Sequence, residues 1–273
     1  MSAPRVHVLR RLAAHGLHPD TRLGQHFLVD ENLVDLSVRT AGVGPDDVVL
    51  EVGAGIGVLT AALARAARHV HTIELDRRIE PVLGEILEPF GNVTVHWGDA
   101  MDLAWSLPAE PPTLMVANLP YNIATPLVLE STWRLPTLRA WGVMVQREVA
   151  DRWAATPGDP RYGAPSVLLQ LAADQEFRRN VGREVFAPPP RVDSAFVVWR
   201  RHTEGASEAV RRAVRTAFAQ RRKMLRNTLP GGGADREHLV GAMADLGLPA
   251  TARAEDLTPA QHARLAEAVR WTN

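Results

Sequence analysis

Glu51-Val52-Gly53-Ala54-Gly55-Ile56-Gly57 is the stretch from which the fold can be read. Residues 48–52 make a short β-branched run, the composition of a buried strand, and three glycines at alternate positions follow it at once. Residues 59–67 are rich in Ala and Leu and continue as a helix. Strand, glycine-rich turn and helix are the first half of a βαβ unit, and the turn lets backbone approach a ligand where side chains would collide with it.

Outward from that turn, residues 69–75 read as the second strand. Glu74, at its end, stands 21 residues after Gly53, the spacing at which a carboxylate meets ribose hydroxyls in Rossmann-like sites. The pattern is G-x-G-x-G at Gly53, Gly55 and Gly57 and lacks the third glycine position of the dinucleotide fingerprint, which weakens an NAD reading. A glycine turn and a ribose-binding acid without a phosphate cradle suit S-adenosylmethionine, which has a ribose and an adenine but no pyrophosphate. Residues 93–97 give a third strand ending in Gly98-Asp99-Ala100, where Asp99 either accepts from the cofactor's adenine amine or caps a helix. Residues 114–117, 141–146, 167–170 and 195–200 are apolar or alternating and read as strands four to seven. The expected class is α/β, a mostly parallel, seven-stranded Rossmann-like sheet.

Asn118-Leu119-Pro120-Tyr121 lies directly past strand four, at the sheet edge where ligands bind in open α/β folds. The Asn118 amide offers both acceptor and donors and can read an exocyclic amine without ionising. Pro120 has no N–H and stiffens the turn, leaving the Leu119 carbonyl free as a second acceptor, and Tyr121 supplies a π-face. Two acceptors beside a stacking ring suit an extruded adenine. A proline-containing loop with a core tyrosine is the plainer reading of the same four residues.

At 273 residues the chain suits one larger domain and a smaller one, expected here as residues 1–202 and 203–273. It has no cysteine, hence no disulfide, thiolate metal site or cysteine nucleophile. No stretch approaches a membrane span and the basic N-terminus lacks an apolar h-region, so a cytoplasmic protein is expected, without a metal or a membrane partner and monomeric. Net charge is zero, but residues 200–226 hold nine Arg or Lys against two Glu, and Arg5, Arg10, Arg11 and Arg22 add a basic arm. Residues 211–229 are expected as one basic helix whose Arg221, Arg222, Lys223 and Arg226 meet phosphates; a merely solvated face is the alternative. Residues 1–22 look partly helical, 31–41 amphipathic helical and 235–246 helical, and Thr258-Pro259-Ala260-Gln261 opens a last helix with a capping box. Between strands six and seven lies Phe186-Ala187-Pro188-Pro189-Pro190-Arg191-Val192-Asp193-Ser194, a stiff extended connector.

Five blocks in order, LGQHFLVD, EVGAGIGVLT with IELD, NLPYNI, FAPPPRVDSAF and FAQRRKMLRNTL, make the chain resemble, nearly end to end, the ribosomal RNA adenine dimethyltransferases of the KsgA/RsmA type. The resemblance implies a class I methyltransferase sheet with a small C-terminal helical domain. It also implies transfer of two methyls from S-adenosylmethionine to N6 of each of two adjacent adenosines near the 3′ end of small-subunit rRNA. By the same resemblance His26, Leu28, Gly53 and the Gly55 turn would contact the cofactor, Glu74 its ribose and Asp99 its adenine. Asn118 would touch both cofactor and target amine, Leu119 and Tyr121 would hold the target, and Phe186 would close on the base. The family usually has Asn where this chain has His26, and imidazole replaces an amide only in the right tautomer. The rival readings are an Erm-type large-subunit methyltransferase, disfavoured by Leu119 where those enzymes commonly have Ile, and a non-catalytic ribosome assembly factor. A DNA adenine methyltransferase would usually begin the tetrapeptide with Asp.

Overall fold

The computed structural model describes residues 3–20, 23–106 and 110–272, with side chains described from Val8 onward. The chain forms two compact units, Met1–Arg147 with Gln175–Arg201, and Glu148–Asp174 with His202–Asn273. The expected cut at 202/203 is therefore incomplete: residues 148–174, placed by sequence in the first domain, pack with the C-terminal helices.

The first unit is built on a seven-stranded sheet. Its strands are β2 (Val48–Val52), β3 (His69–Glu74), β4 (Val93–Trp97), β5 (Leu114–Asn118), β6 (Ala140–Gln146), β7 (Ala173–Val181) and β9 (Ser194–Arg201), in spatial order β4-β3-β2-β5-β6-β9-β7. The first five positions in that order are joined by parallel ladders, and β9 runs antiparallel to β6. Two residues each from β1 (Phe27–Leu28) and β8 (Phe186–Ala187) form a separate antiparallel pair, Phe27 opposite Ala187 and Leu28 opposite Phe186. Helices α1 (Ala3–Ala14), α2 (Glu31–Ala41), α3 (Val58–Ala66), α4 (Glu80–Leu87), α5 (Ala100–Leu103) and α6 (Ala124–Arg134) complete the unit.

Strands β2 and β5 are buried nearly throughout because helices cover both faces of a parallel sheet, which explains their continuous apolar runs. The α2 bounds match the sequence because both ends carry local signals. Asp30 accepts from the Leu33 N–H at 2.9 Å, and Gly42 closes the helix at φ 74°. Within β6, Gly142 lets α2 come close, since a Cβ there would lie 2.7 Å from the Ala41 methyl. The N-terminal lead-in is helical as expected, and Val8 and Leu12 of α1 are buried with Phe27, Ile56 and Val82.

Seven strands were expected and seven are present, but the sixth is a different segment. Residues 167–170 belong to α8 (Ala164–Gln170), and the strand is β7, three residues further on. A short apolar run cannot by itself distinguish a buried strand from a buried helix. Here Pro165 sits in the first turn and the Ser166 hydroxyl accepts from Gly163 N–H at 3.1 Å, which starts a helix.

The second unit holds α7 (Arg147–Trp153), α8, α9 (Glu208–Ala219), α10 (Leu225–Thr228), α11 (Arg236–Asp245) and α12 (Pro259–Ala268). Tyr162 is fully buried and donates to the Leu257 carbonyl at 2.9 Å, while the His262 ring meets the Ala254 carbonyl at 2.9 Å. Burial pushes the His262 pKa down to about 4, so this ring is neutral at physiological pH. The capping box predicted at Thr258 is present, with Gln261 N–H donating to the Thr258 hydroxyl at 3.3 Å. The expected single helix over 211–229 is not: α9 stops at Ala219, Met224 forms a β-bridge with Arg253, and Leu225 N–H donates to the Ala252 carbonyl at 2.9 Å. Those long-range bonds hold residues 221–224 as a turn.

Candidate active site

The chain adds β3 and β4 on one side of β2 and returns to place β5 and β6 on the other, so the order reverses between β2 and β5. At such a switch point the connections leave in opposite directions and open a crevice beyond the strands' carboxyl ends. A cavity lies there, with about 1100 Å³ of empty space including its open mouth, lined among others by Gly53, Glu74, Asp99, Asn118 and Pro120. Two elements separated by more than sixty residues, the glycine turn and the tetrapeptide, thus meet at one edge.

On the β2 side the turn is tailored for close approach. Gly53 and Gly55 take φ of 83° and 54°, and a Cβ on Gly55 would sit 2.9 Å from the Phe27 ring. Glu74 stands at the end of β3 and both its oxygens are engaged, Oε2 by Gly55 N–H and Oε1 by Asp76 N–H, each at 2.9 Å. Burial raises its pKa and the backbone donors oppose that shift. Each oxygen keeps a second acceptor site, so the carboxylate can brace the turn and still meet a ribose. Asp99 takes the helix-cap reading, accepting from Met101 N–H at 2.8 Å at the start of α5, and it also lines the cavity.

Glu51 was not singled out by sequence, although it opens the glycine motif. Its side chain is 1% exposed and lines the cavity. Oε2 accepts from the Thr60 hydroxyl at 2.6 Å and the Thr72 hydroxyl at 2.7 Å, whereas Oε1 has no partner. Desolvation, opposed by the two hydroxyls and reinforced by Glu74, raises the Glu51 pKa to about 8. An orphaned buried acceptor beside a glycine cradle and a ribose-spaced carboxylate fits a nucleoside ligand that carries a cation.

On the β5 side the amide of Asn118 has a determined orientation. The atom facing the His26 carbonyl, 3.1 Å away, must be Nδ2, because a carbonyl only accepts. Oδ1 is thereby left as the acceptor, as reading an exocyclic amine requires. Leu119 is 2% exposed and its N–H donates to the Met144 carbonyl at 3.2 Å, which anchors the peptide on β6. The Pro120 carbonyl takes the Ile123 and Ala124 N–H groups, both at 3.1 Å, and so starts α6. Tyr121 shares a hydrogen bond with the Ser194 hydroxyl at 2.8 Å, and burial raises its pKa.

His26 is placed by the same logic. Its Nδ1 lies 2.8 Å from the Pro188 carbonyl, so Nδ1 carries the hydrogen. Its ring stacks on Tyr121 with centroids 6.2 Å apart and planes at 25°. His26, Leu28, Gly53, Gly55, Glu74, Asp99 and Asn118 all line the cavity, so the expected cofactor set converges. Gln25 adds a brace that sequence reasoning missed, its amide donating to Asp76 at 2.8 Å and accepting from Asp20 N–H at 2.7 Å.

Two expectations on substrate residues need correction. Phe186 is fully buried and belongs to the core with Leu28, Leu33 and Phe196, so it offers no face for a base to stack on. The proline-rich loop brings Ser194 and the Pro188 carbonyl to the site instead. The basic run also divides. Arg201 donates to the Thr132, Leu135 and Leu138 carbonyls at the end of α6, and Arg200 pairs with Glu176 at 2.5 Å. Arg221 pairs with Glu255 at 2.6 Å and donates to the Pro160 carbonyl at 2.6 Å, so it holds the helical unit together. Arg222 and Lys223 are exposed and Arg226 is half-exposed. Of the N-terminal arm, Arg22 and the Arg5 side chain lie outside the described residues.

Similarity to known proteins extends along nearly the whole chain. The family model described as ribosomal RNA adenine dimethylase matches residues 17–270. The chain belongs to that family. Among its relatives, the ribosomal RNA small subunit methyltransferase A of Thermobifida fusca is 43% identical over 95% of this chain and 93% of its own. That of Rubrobacter xylanophilus is 44% identical over 88% and 91%. A dimethyladenosine transferase from Plasmodium falciparum superposes with a TM-score of 0.75 at 25% identity, over 88% of this chain and 96% of its own. The 23S rRNA methyltransferase ErmE gives 0.65 at 29% identity, over 89% and 99%. As a member of this dimethylase family the chain is a methyltransferase, and among the described residues no helix is long and apolar enough to cross a membrane.

Proposed function

We propose that the chain binds S-adenosylmethionine in the β2–β5 crevice and dimethylates N6 of two adjacent adenosines near the 3′ end of small-subunit rRNA. The observation that carries this reading is Asn118, its amide locked with Oδ1 as acceptor at the edge of a cavity built on the glycine turn. When bound, the cofactor supplies an activated methyl on a sulfonium.

The residues of the chain then act by positioning. Glu74 and Asp99 hold the nucleoside part, and Gly53 and Gly55 let the backbone meet the methionine part. Adenine N6 is a poor nucleophile because its lone pair is delocalised into the ring. Bonds accepted by Asn118 Oδ1 and the Leu119 carbonyl favour a pyramidal nitrogen with its lone pair localised, and the proton leaves afterwards to solvent. Tyr121, held by Ser194 and backed by His26, supplies the face against which the base stacks.

The test is methyl transfer from labelled S-adenosylmethionine to separated ribosomal subunits from a strain lacking this gene, with the modified nucleotides mapped. N6-dimethyladenosine at two adjacent small-subunit sites is expected. Label at a single large-subunit adenosine would move the protein to the class of ErmE, whose similarity to this chain is lower than that of the small-subunit relatives. No label despite cofactor binding would favour an assembly role.

Substrate RNA is held in this reading by Arg222, Lys223 and Arg226, with Arg221 bracing their turn. Arg222→Glu with Lys223→Glu should weaken RNA binding about tenfold or more and flatten its dependence on log salt by roughly two contacts. Filter binding at several salt concentrations checks this, and the cofactor dissociation constant should stay unchanged. Arg221→Glu, in contrast, should lower the melting temperature, because it sets a carboxylate against Glu255.

A further inference from the structure

The proline-rich loop ends in a side chain that neither the cavity nor the core uses. Among the described residues the exposed large apolar side chains are Leu23, Leu75, Val192 and Val240. Leu23 and Leu75 line the cavity, and Val240 lies on α11 of the second unit. Val192, 41% exposed on the loop before β9, does neither. A single exposed valine is ordinary on a protein surface; what distinguishes this one is how and where it is held.

The hold is rigid. Pro188, Pro189 and Pro190 fix φ on the approach to the tip, and both neighbours of Val192 are fastened. The Asp193 carbonyl accepts from Arg147 N–H at 3.0 Å, and its carboxylate pairs with Arg147 at 3.5 Å and with Arg183 at 3.7 Å. The Arg191 carbonyl accepts from the Arg183 guanidinium at 3.4 Å. The place is the reactive edge. Gln146, the last residue of β6, pairs with Ser194, the first of β9. Val192 therefore stands two residues, up to about 7 Å of extended chain, beyond the carboxyl edge of the sheet. Ser194 is also the residue that holds the Tyr121 hydroxyl. Among the groups on the tip or fastening it, the guanidiniums of Arg147, Arg183 and Arg191 face one carboxylate, that of Asp193.

To reach Asn118 and Tyr121 a target adenine leaves its stack, and the step that it leaves is opened to water at a cost in free energy. Proteins that open a base step place an apolar side chain in the gap. We infer that Val192 is such a wedge: it enters the RNA stack where the target adenosine has left it, while the arginines around the tip meet the flanking phosphates. A β-branched side chain suits the task, because its χ1 is already restricted and little freedom is lost on insertion. The inference rests on the adenosine-methylating reading above. Val192 touches no reacting atom in it; it is a positioning residue that sets how often the base is presented to Asn118.

The test is single-turnover methyl transfer to small ribosomal subunits from a strain lacking this gene, at varied subunit concentration, for Val192→Ala, Val192→Thr and Val192→Ile. Melting temperature and the dissociation constant for S-adenosylmethionine should match the unaltered chain in all three, because the side chain is exposed and outside the cavity. Val192→Ala is expected to lower the rate at saturating subunits about tenfold, the factor for two methyl groups no longer buried in the stack, with the half-saturating concentration nearly unchanged. Val192→Thr, alike in shape but polar, should also be slow, and Val192→Ile should keep the unaltered rate. In subunits rebuilt with an abasic nucleotide beside the target pair, where the stack is already open, Val192→Ala should recover most of the lost rate. Full activity of Val192→Ala, a loss confined to the half-saturating concentration, or no recovery on the abasic substrate would overturn the wedge and leave the methylation reading intact. Absence of transfer to small subunits by the unaltered chain would overturn both.

Discussion

Asn118→Ala is expected to lower methyl transfer by about 10²–10³-fold, the loss that follows when one preorganised polar group at a reacting centre is removed. The variant should keep its fold. Asn118 is half-buried at the end of β5, and its side chain contributes one hydrogen bond, to the His26 carbonyl at 3.1 Å, so the loss of stability is about 1 kcal/mol. The comparison to make is single-turnover transfer beside a melting curve and a cofactor titration. A drop in turnover with the melting temperature nearly unchanged assigns Asn118 to the reaction. Near-normal turnover in a folded variant would remove it from the mechanism, and with it the reason for reading the tetrapeptide as the reactive edge. Asn118→Asp sharpens the result, because a carboxylate keeps an acceptor but loses the donor that orients it on His26.

Phe186→Ala is expected to destabilise the first unit by about 3–5 kcal/mol, the range for removing a buried aromatic side chain. At roughly 2–4 °C per kcal/mol for a domain of this size, the melting temperature falls by about 10 °C or more. The cause is packing: Phe186 is completely buried opposite Leu28 in the β1–β8 pair, within a cluster that includes Leu33 and Phe196. Phe186→Leu decides between this role and base stacking. If packing dominates, leucine restores much of the stability and leaves the Michaelis constant for RNA unchanged. If leucine melts like the wild type yet loses affinity for RNA, the ring serves the substrate and must leave the core to do so.

These two variants bear on different parts of one construction. The β1–β8 pair fastens the block around His26 to the proline-rich loop, and each of them adds a group to the tetrapeptide. The His26 carbonyl orients Asn118, the Pro188 carbonyl fixes the His26 tautomer, and Ser194 holds Tyr121. Substituting histidine for the family's usual asparagine thus leaves the main-chain contact to Asn118 in place, since that contact uses the backbone.

The local chemistry of the chain was enough to determine several things about it. The strand, glycine turn and helix at 48–67, the Thr258 cap, the carboxylate 21 residues beyond Gly53 and the amide after strand four depend on contacts within a few residues or on the period of the pattern. For that reason they can be read without a structure. The tertiary structure decided the rest, because each remaining feature depends on what lies opposite a residue in space. Residues 167–170 are helical owing to the packing of the second unit, and the basic turn at 221–224 exists because Met224 bridges to Arg253. Arg221 was counted as a phosphate ligand by charge alone, yet a carbonyl and a carboxylate far along the chain claim it. Phe186 looked available because a single aromatic in a proline-rich stretch carries no sign of its burial. Glu51 looked like one more strand residue until the two hydroxyls on Oε2, and the absence of a partner for Oε1, came from helix and strand neighbours 9 and 21 positions away. Donors and acceptors are properties of residues, whereas their satisfaction is a property of the fold.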